Sequence, residues 1–278
     1  MNRSVRVVML SAAALALLFA AGCNKLKARD QLNKGVQAYK NAKYEEAINR
    51  FQNAVALDPS LLNARLYLAT AYAQQYVPGA DTPDNNRNAE QAIDQYKQVL
   101  GRNPSREQQI NSVKGIAYLY LQMKKFDQAK EYYRKASQTD PNDPEAYYSV
   151  GVIDWTQCYQ PRMEERAKLG LKPDETLKDK KVCQHLKDVN GANIQDGIDV
   201  LNKALQLRPD YDDAMAYMNL MYREKADTEC ETPDQQMADL NTADDWVDKT
   251  MATKKAKAAK AAAQQPGGIV EQPTSTSQ

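Results

Sequence analysis

The chain has 278 residues, with 37 basic against 36 acidic side chains, 16 tyrosines but only 3 phenylalanines, 4 cysteines and a single histidine. A balanced charge leaves no electrostatic footprint for nucleic acid, and one histidine leaves little material for acid–base catalysis. The overall polarity excludes a polytopic membrane protein.

The chain opens with Arg3 and Arg6 ahead of an apolar run from Val7 to Ala21. A basic start before a run too short for a membrane span predicts an export signal over residues 1–22. Removing its two arginines leaves 35 basic against 36 acidic residues, a formal charge of −1. Four later stretches then share one spacing. Ala47, Phe51, Ala54 and Pro59; Ala92, Tyr96, Val99 and Pro104; Ala129, Tyr133, Ala136 and Pro141; and Gly197, Leu201, Ala204 and Pro209 fall at steps of four, three and five residues. The first two steps keep three side chains on one helical face, and the last places proline just past the helix end. Small, large, small, proline is the packing face of a helix hairpin that stacks on copies of itself.

The first unit runs from about Ala28 to Leu61, with Gly35 in its first helix allowing close approach and Tyr44 in the turn. The second begins near Leu62, with Leu66, Leu68, Ala69 and Tyr72 marking its first helix. Residues 74–87 carry Pro78, Gly79 and Pro83 and are predicted as an inserted loop, with Asn88 and Gln91 capping the resumed helix. The third unit, from Ile110 to Asp143, has no interruption. The fourth opens on Asp143 and Pro144, a cap and first-turn pair, and loses its pattern after Trp155, which predicts a second insertion over about 156–191. A fifth first helix spans Asp212 to Lys225 with Met215, Met218 and Tyr222 in register, and no second helix of matching spacing follows. Thr232 and Pro233 instead start a helix over residues 231–264, whose apolar face of Met237, Leu240, Trp246, Val247 and Met251 suits a terminal cap. Residues 265–278 are rich in Gly, Pro, Ser and Thr and are expected to be a disordered tail.

Few constellations point to chemistry. Beyond Cys23 the thiols are Cys158, Cys183 and Cys230, and an exported chain meets an oxidising compartment. Pairing Cys158 with Cys183 would staple the second insertion and is the preferred disulfide, while either of them with Cys230 would pin that insertion to the C-terminal cap. Zinc held by the three thiols and His185 is the weaker alternative, because structural zinc sites use close cysteine pairs. No metal or other cofactor is expected. The carboxylates of the second insertion alternate with lysines, as on a solvated face, and no phosphate loop or nucleophile elbow is present. An enzyme sited in the long insertion is therefore the least favoured function. Lys254 to Lys260 could touch an anionic membrane or polymer, although a helix end also suits positive charge.

Two resemblances sharpen the expectation. Ala117, Tyr120, Ala129, Tyr133, Ala136 and Pro141 match the tetratricopeptide (TPR) repeat without a gap, and the likeness extends over roughly Ala28 to Glu224, within a repeat domain expected over residues 28–230. It implies an all-α fold, a right-handed superhelical solenoid of helix hairpins with a C-terminal capping helix. Phe19-Ala20-Ala21-Gly22-Cys23 resembles the lipobox of bacterial lipoproteins, which implies that Cys23 is lipidated, that residues 23–27 are a lipid-anchored tether, and, from Asn24, that the anchor lies in the outer membrane facing the periplasm. By register with the repeat, a concave groove for a protein or peptide would be lined by Leu32, Val36 and Tyr39, by Leu66 and Thr70, by Lys114, Tyr118 and Leu121, by Tyr148, Val152 and Trp155, and by Leu220 and Arg223. Tyr118, Tyr148 and Trp155 are the leading positions, since tyrosine and tryptophan dominate binding energies. The expected function is a lipid-anchored periplasmic scaffold for protein–protein interactions in envelope assembly, without enzymatic activity. An accessory subunit of cell-wall or polysaccharide machinery is the alternative.

Overall fold

Every small and large residue of the repeated spacing, from Ala47 to Ala204, is buried. The computed structural model describes residues 23–172 and 175–263, and among these it contains helices and no strand. Helix α1 covers residues 23–40. It is followed by α2 (Tyr44–Leu57), α3 (Leu62–Gln75), α4 (Pro83–Leu100), α5 (Arg106–Gln122), α6 (Phe126–Thr139), α7 (Pro144–Lys168), α8 (Lys180–Leu207), α9 (Asp212–Ala226) and α10 (Pro233–Ala263). The expected signal segment and tail lie outside the described residues. Residues 23–27, expected as a tether, already belong to α1. The chain divides after Pro141 into two compact units.

In the first unit α3 pairs with α4 and α5 with α6, while α2 packs on α3, α4 on α5 and α3 on α5. The hairpin of α1 and α2 closes on Gly35, where a Cβ would sit 2.5 Å from Cε1 of the fully buried Phe51. Only a residue without a side chain permits that approach. Phe51 then joins Leu68, Tyr72, Ile93, Tyr96, Ile116 and Leu119 in one core. The uninterrupted hairpins turn identically. Ala42 and Lys124 both take a φ of 57°, and the amide after each donates back to the preceding helix, Lys43 to Ala38 at 2.9 Å and Lys125 to Tyr120 at 2.8 Å. A left-handed residue that closes the helix end satisfies carbonyls that would otherwise be orphaned.

The first insertion differs from expectation at its far end. Thr82, not Asn88, caps α4: its hydroxyl accepts from the Asn85 amide at 3.3 Å, and Pro83 takes the first turn. Threonine ahead of proline is a stronger start signal than an asparagine three residues before glutamine. Asn85 is buried and latches the loop, accepting from the Val77 amide at 2.7 Å and donating to the carbonyls of Val77 at 2.8 Å and Ala80 at 2.6 Å.

In the second unit α7 pairs with α8 and α9 with α10, and α9 also touches α7 and α8. Asp143 caps α7 with Pro144 behind it, as expected. The second insertion is largely helix rather than loop. α7 continues through Pro161 to Lys168 and α8 begins at Lys180, so the insertion mainly lengthens both arms of the hairpin. Gly151 meets Leu201 as Gly35 meets Phe51, with a virtual Cβ 2.6 Å from Leu201 Cγ. The last helix is more than a lid. α10 packs along α9 as the second arm of a fifth hairpin, although its sequence lacks the repeated spacing.

The preferred disulfide is corrected. Cys183 bonds Cys230, with Cα atoms 5.5 Å apart, whereas Cys158 is fully buried with its Sγ 3.8 Å from the Asn190 carbonyl. The two thiols of the insertion belong to different clusters. Cys158 packs with Ile194, Ile198 and Leu201 inside the hairpin, and Cys183 packs with Leu177 and Leu186, where the chain returns at Cys230. The bond occupies two of the thiols that the zinc alternative requires.

Candidate binding surfaces

Unit by unit, the groove positions divide into those that face solvent together and those that are used for packing. In the first unit Leu66, Thr70 and Lys114 line a cleft of about 610 Å³ between α3 and α5, with Asn63, Tyr67, Ile110 and Asn111. The cleft is shaped from below: Ser105 caps α5 in a reciprocal capping box with Gln108, and the Gln108 amide donates to Asn63 Oδ1 at 2.7 Å, fixing the mouth of α5 against α3. Thr70 Oγ1 lies 3.1 Å from the Tyr96 hydroxyl at the floor. Tyr67 is 40% exposed and stacks on Phe51 at 5.6 Å. Tyr118 is 50% exposed on α5. Leu32, Val36 and Tyr39 instead pack half-buried against the core. The Tyr39 ring lies 5.4 Å from Tyr44, and burial raises its phenol pKa.

In the second unit the expected positions form something the sequence did not announce, a ladder of five rings. Tyr211 and Tyr148 have centroids 4.9 Å apart, Tyr148 and Tyr217 5.6 Å, Tyr217 and Trp155 5.5 Å, and Trp155 and Tyr159 5.0 Å. Tyr217 stands at 80° to both Tyr148 and Trp155, the edge-to-face arrangement that ring quadrupoles favour. Tyr148, Val152, Trp155 and Tyr159 follow one another at helical spacing on α7, and Tyr217 faces Tyr148 and Trp155 from α9. Burial pushes the Tyr148 phenol well above its ordinary range, reinforced by Tyr217 and Asp213, and burial with Glu145 pushes Tyr211 up to about 12. These hydroxyls therefore stay neutral donors. Arg223 leaves the groove set: its Nε donates to Asn219 at 2.9 Å and its terminal nitrogen to Asp244 at 2.7 Å, tying α9 to α10.

A buried charge cluster further along α7 also escaped the sequence reading. Arg166, only 1% exposed, donates to Asp227 at 2.8 Å and to the carbonyls of Lys172 and Glu175 at 2.5 Å each. Arg162 reaches Asp227 at 2.7 Å and Glu224 at 3.5 Å. Burial raises the Glu224 carboxyl to about 7 against the attraction of Arg162. Gln236 adds bonds of 3.1 Å to the carbonyls of Leu177 and Ala226. Together with the disulfide, these contacts tie Lys172 and Glu175 to α7 and Leu177 to α10. Among the described residues no group of three or more His, Cys, Asp or Glu side chains is arranged to hold a metal, and no helix is long and apolar enough to cross a membrane.

Two models of the tetratricopeptide repeat match, one over residues 32–105 and the other over residues 114–143. A crystal structure of MamA protein is similar at 14% identity and a TM-score of 0.55, covering 84% of this chain and 94% of that one. MamA from Desulfovibrio magneticus RS-1 is similar at 16% identity and a TM-score of 0.55, covering 83% and 96%. YrrB, described as a TPR protein with an unusual peptide-binding site, is similar at 16% identity and a TM-score of 0.51, covering 87% and 98%. No curated protein matches the sequence. The fold is thus an all-α tetratricopeptide-repeat solenoid.

Proposed function

Because the chain carries tetratricopeptide repeats, a fold suited to a protein–protein interaction scaffold, we propose that it is a lipid-anchored periplasmic scaffold that holds other proteins during envelope assembly, and that it binds rather than catalyses. The observation that carries this reading is the aromatic ladder of the second unit. Tyr148, Trp155 and Tyr159 extend along α7 within reach of solvent, and Tyr159 is 41% exposed. Half-exposed aromatic side chains with neutral hydroxyls combine large contact area with hydrogen-bonding ends, the composition of interface hot spots. The amide-lined cleft of the first unit, with Asn63, Gln108 and Asn111, suits an extended backbone. The anchor rests on the lipobox-like residues 19–23, and Cys23 is exposed at the start of α1.

Crosslinking in intact membranes followed by capture tests the scaffold. Envelope assembly proteins should be recovered with the native chain and lost when Tyr148 and Trp155 are both replaced by alanine. Recovery of polymer synthases instead would favour the cell-wall alternative, and unchanged capture by the double variant would remove the ladder from the reading. Mass spectrometry of the mature N-terminus tests the anchor separately. Diacylglyceryl and acyl additions on Cys23 are expected, and an unmodified cysteine would end the lipoprotein assignment.

A further inference from the structure

We infer that the ring ladder on α7 and α9 receives a peptide segment bearing arginine or lysine, with Asp213 as its charge partner. This deepens the scaffold reading and rests on the ladder being the binding face.

Three observations converge. First, ring faces carry negative quadrupole potential and attract guanidinium and ammonium groups. Tyr211 is buried under Arg208, but the other four rings continue that potential along a line, and the Tyr159 end is exposed.

Second, acidic side chains stand at the Tyr211 end of the ladder. Asp213 acts electrostatically on Tyr148, Tyr211 and Tyr217, and Glu145 and Asp143 act on Tyr211, while Arg208, Lys254 and Lys257 supply positive charge around them. Asp212 is engaged by Lys257 at 2.5 Å, which also feels Asp213. Asp213 itself is exposed and forms no ion pair among the described residues. A carboxylate beside aromatic faces is a half-built cation receptor.

Third, the unit already performs this recognition on itself. At the far end of the ladder the Arg208 guanidinium lies 4.3 Å over the Tyr211 ring and 3.6 Å from the Glu145 carboxylate. Asp213 stands one helical turn before Tyr217 on α9, and among the described residues no cation lies over the Tyr148 or Tyr217 ring.

The test uses the mature chain purified in detergent and three fluorescein-labelled twelve-residue Gly-Ser peptides that carry arginine, glutamine or glutamate at every third position. Fluorescence anisotropy at low salt should give an arginine-peptide Kd about tenfold tighter than that of the other two. Asp213→Asn, at an exposed site that leaves the fold intact, should weaken the arginine peptide by about threefold, and Trp155→Ala by about tenfold. Raising the salt should erase the Asp213 difference. Equal binding of the three peptides, no binding of the arginine peptide, or an unchanged Kd in Asp213→Asn would overturn the inference. If the Tyr148 and Trp155 double variant still loses its partner in membranes while the peptides show no preference, the face binds by another chemistry and only the cationic specificity falls.

Discussion

Replacing Arg166 by methionine should cost the second unit about 3 kcal/mol. The guanidinium is 1% exposed and holds Asp227 at 2.8 Å together with the carbonyls of Lys172 and Glu175 at 2.5 Å each. Removing one partner of a buried pair costs about 3–5 kcal/mol, because the remaining charge and acceptors stay desolvated. Arg162 remains 2.7 Å from Asp227 and keeps that carboxylate paired, which places the expectation at the lower end of the range. Methionine fills most of the space, so the loss is electrostatic rather than a cavity. Both tryptophans, Trp155 and Trp246, lie in the second unit, so tryptophan fluorescence follows its unfolding alone. The transition should fall by about 12 °C, at about 4 °C per kcal/mol for a unit of this size. Hydrogen exchange should accelerate in residues 169–172 and 175–179 before it does in α8. A midpoint within about 1 °C of the native protein, or unchanged exchange in that segment, would refute the claim that Arg166 anchors the insertion.

Three further outcomes are expected. The Glu224 carboxyl is raised from 4.5 to about 7 in the folded state, so the stability tied to its proton is fully present below about pH 4.5 and is lost as pH rises to about 7. That loss amounts to about 3 kcal/mol, and Glu224→Gln should flatten this stretch of the urea-midpoint profile; an equally steep profile in the variant would assign the slope to other groups. Gly151→Ala would place a methyl 2.6 Å from Leu201 Cγ and should destabilise by about 1–3 kcal/mol. Leu201→Ala should relieve that strain in a double-mutant cycle, and strictly additive effects would contradict the close approach. Peptide mapping without reduction should recover Cys183 joined to Cys230, with Cys158 alkylated only after unfolding. Reduction of a bond spanning 47 residues should destabilise by up to about 4 kcal/mol, and a Cys158–Cys183 peptide would restore the pairing preferred from sequence.

How legible the binding faces were depended on which helix supplied each residue. Tyr148 and Trp155 are visible in sequence because they occupy one stripe of α7, and Tyr159 continues it at the next helical step. Tyr217 bridges them from another helix, and no local spacing reports a ring that stands 5.5 Å away across a hairpin stack. Arg223 shares the register of the groove but is drawn aside by Asp244 on α10, a helix without the repeated pattern. Asn88 looked like a cap only because the stronger signal of Thr82 and Pro83 fell inside a stretch read as loop. The buried cluster of Arg162, Arg166, Glu224 and Asp227 was hidden for a different reason. In sequence its members are ordinary surface-type residues, with Arg162 and Arg166 lying 65 and 61 positions from Asp227, and only their meeting removes them from water.

Local periodicity alone determined the hairpins, because a step of four and three residues with a closing proline is a statement about one helix face and its end, which short-range sterics decide. It also determined that glycine must stand at Gly35, where the partner ring arrives from the next helix in the chain. Tertiary structure decided what the second insertion became, which thiol met Cys230, that α10 completes a fifth hairpin, and that separate tyrosines join into one ladder. Each of these depends on contacts between segments far apart in the chain, and their free energy comes from burial, charge pairing and ring geometry that exist only after the helices have docked.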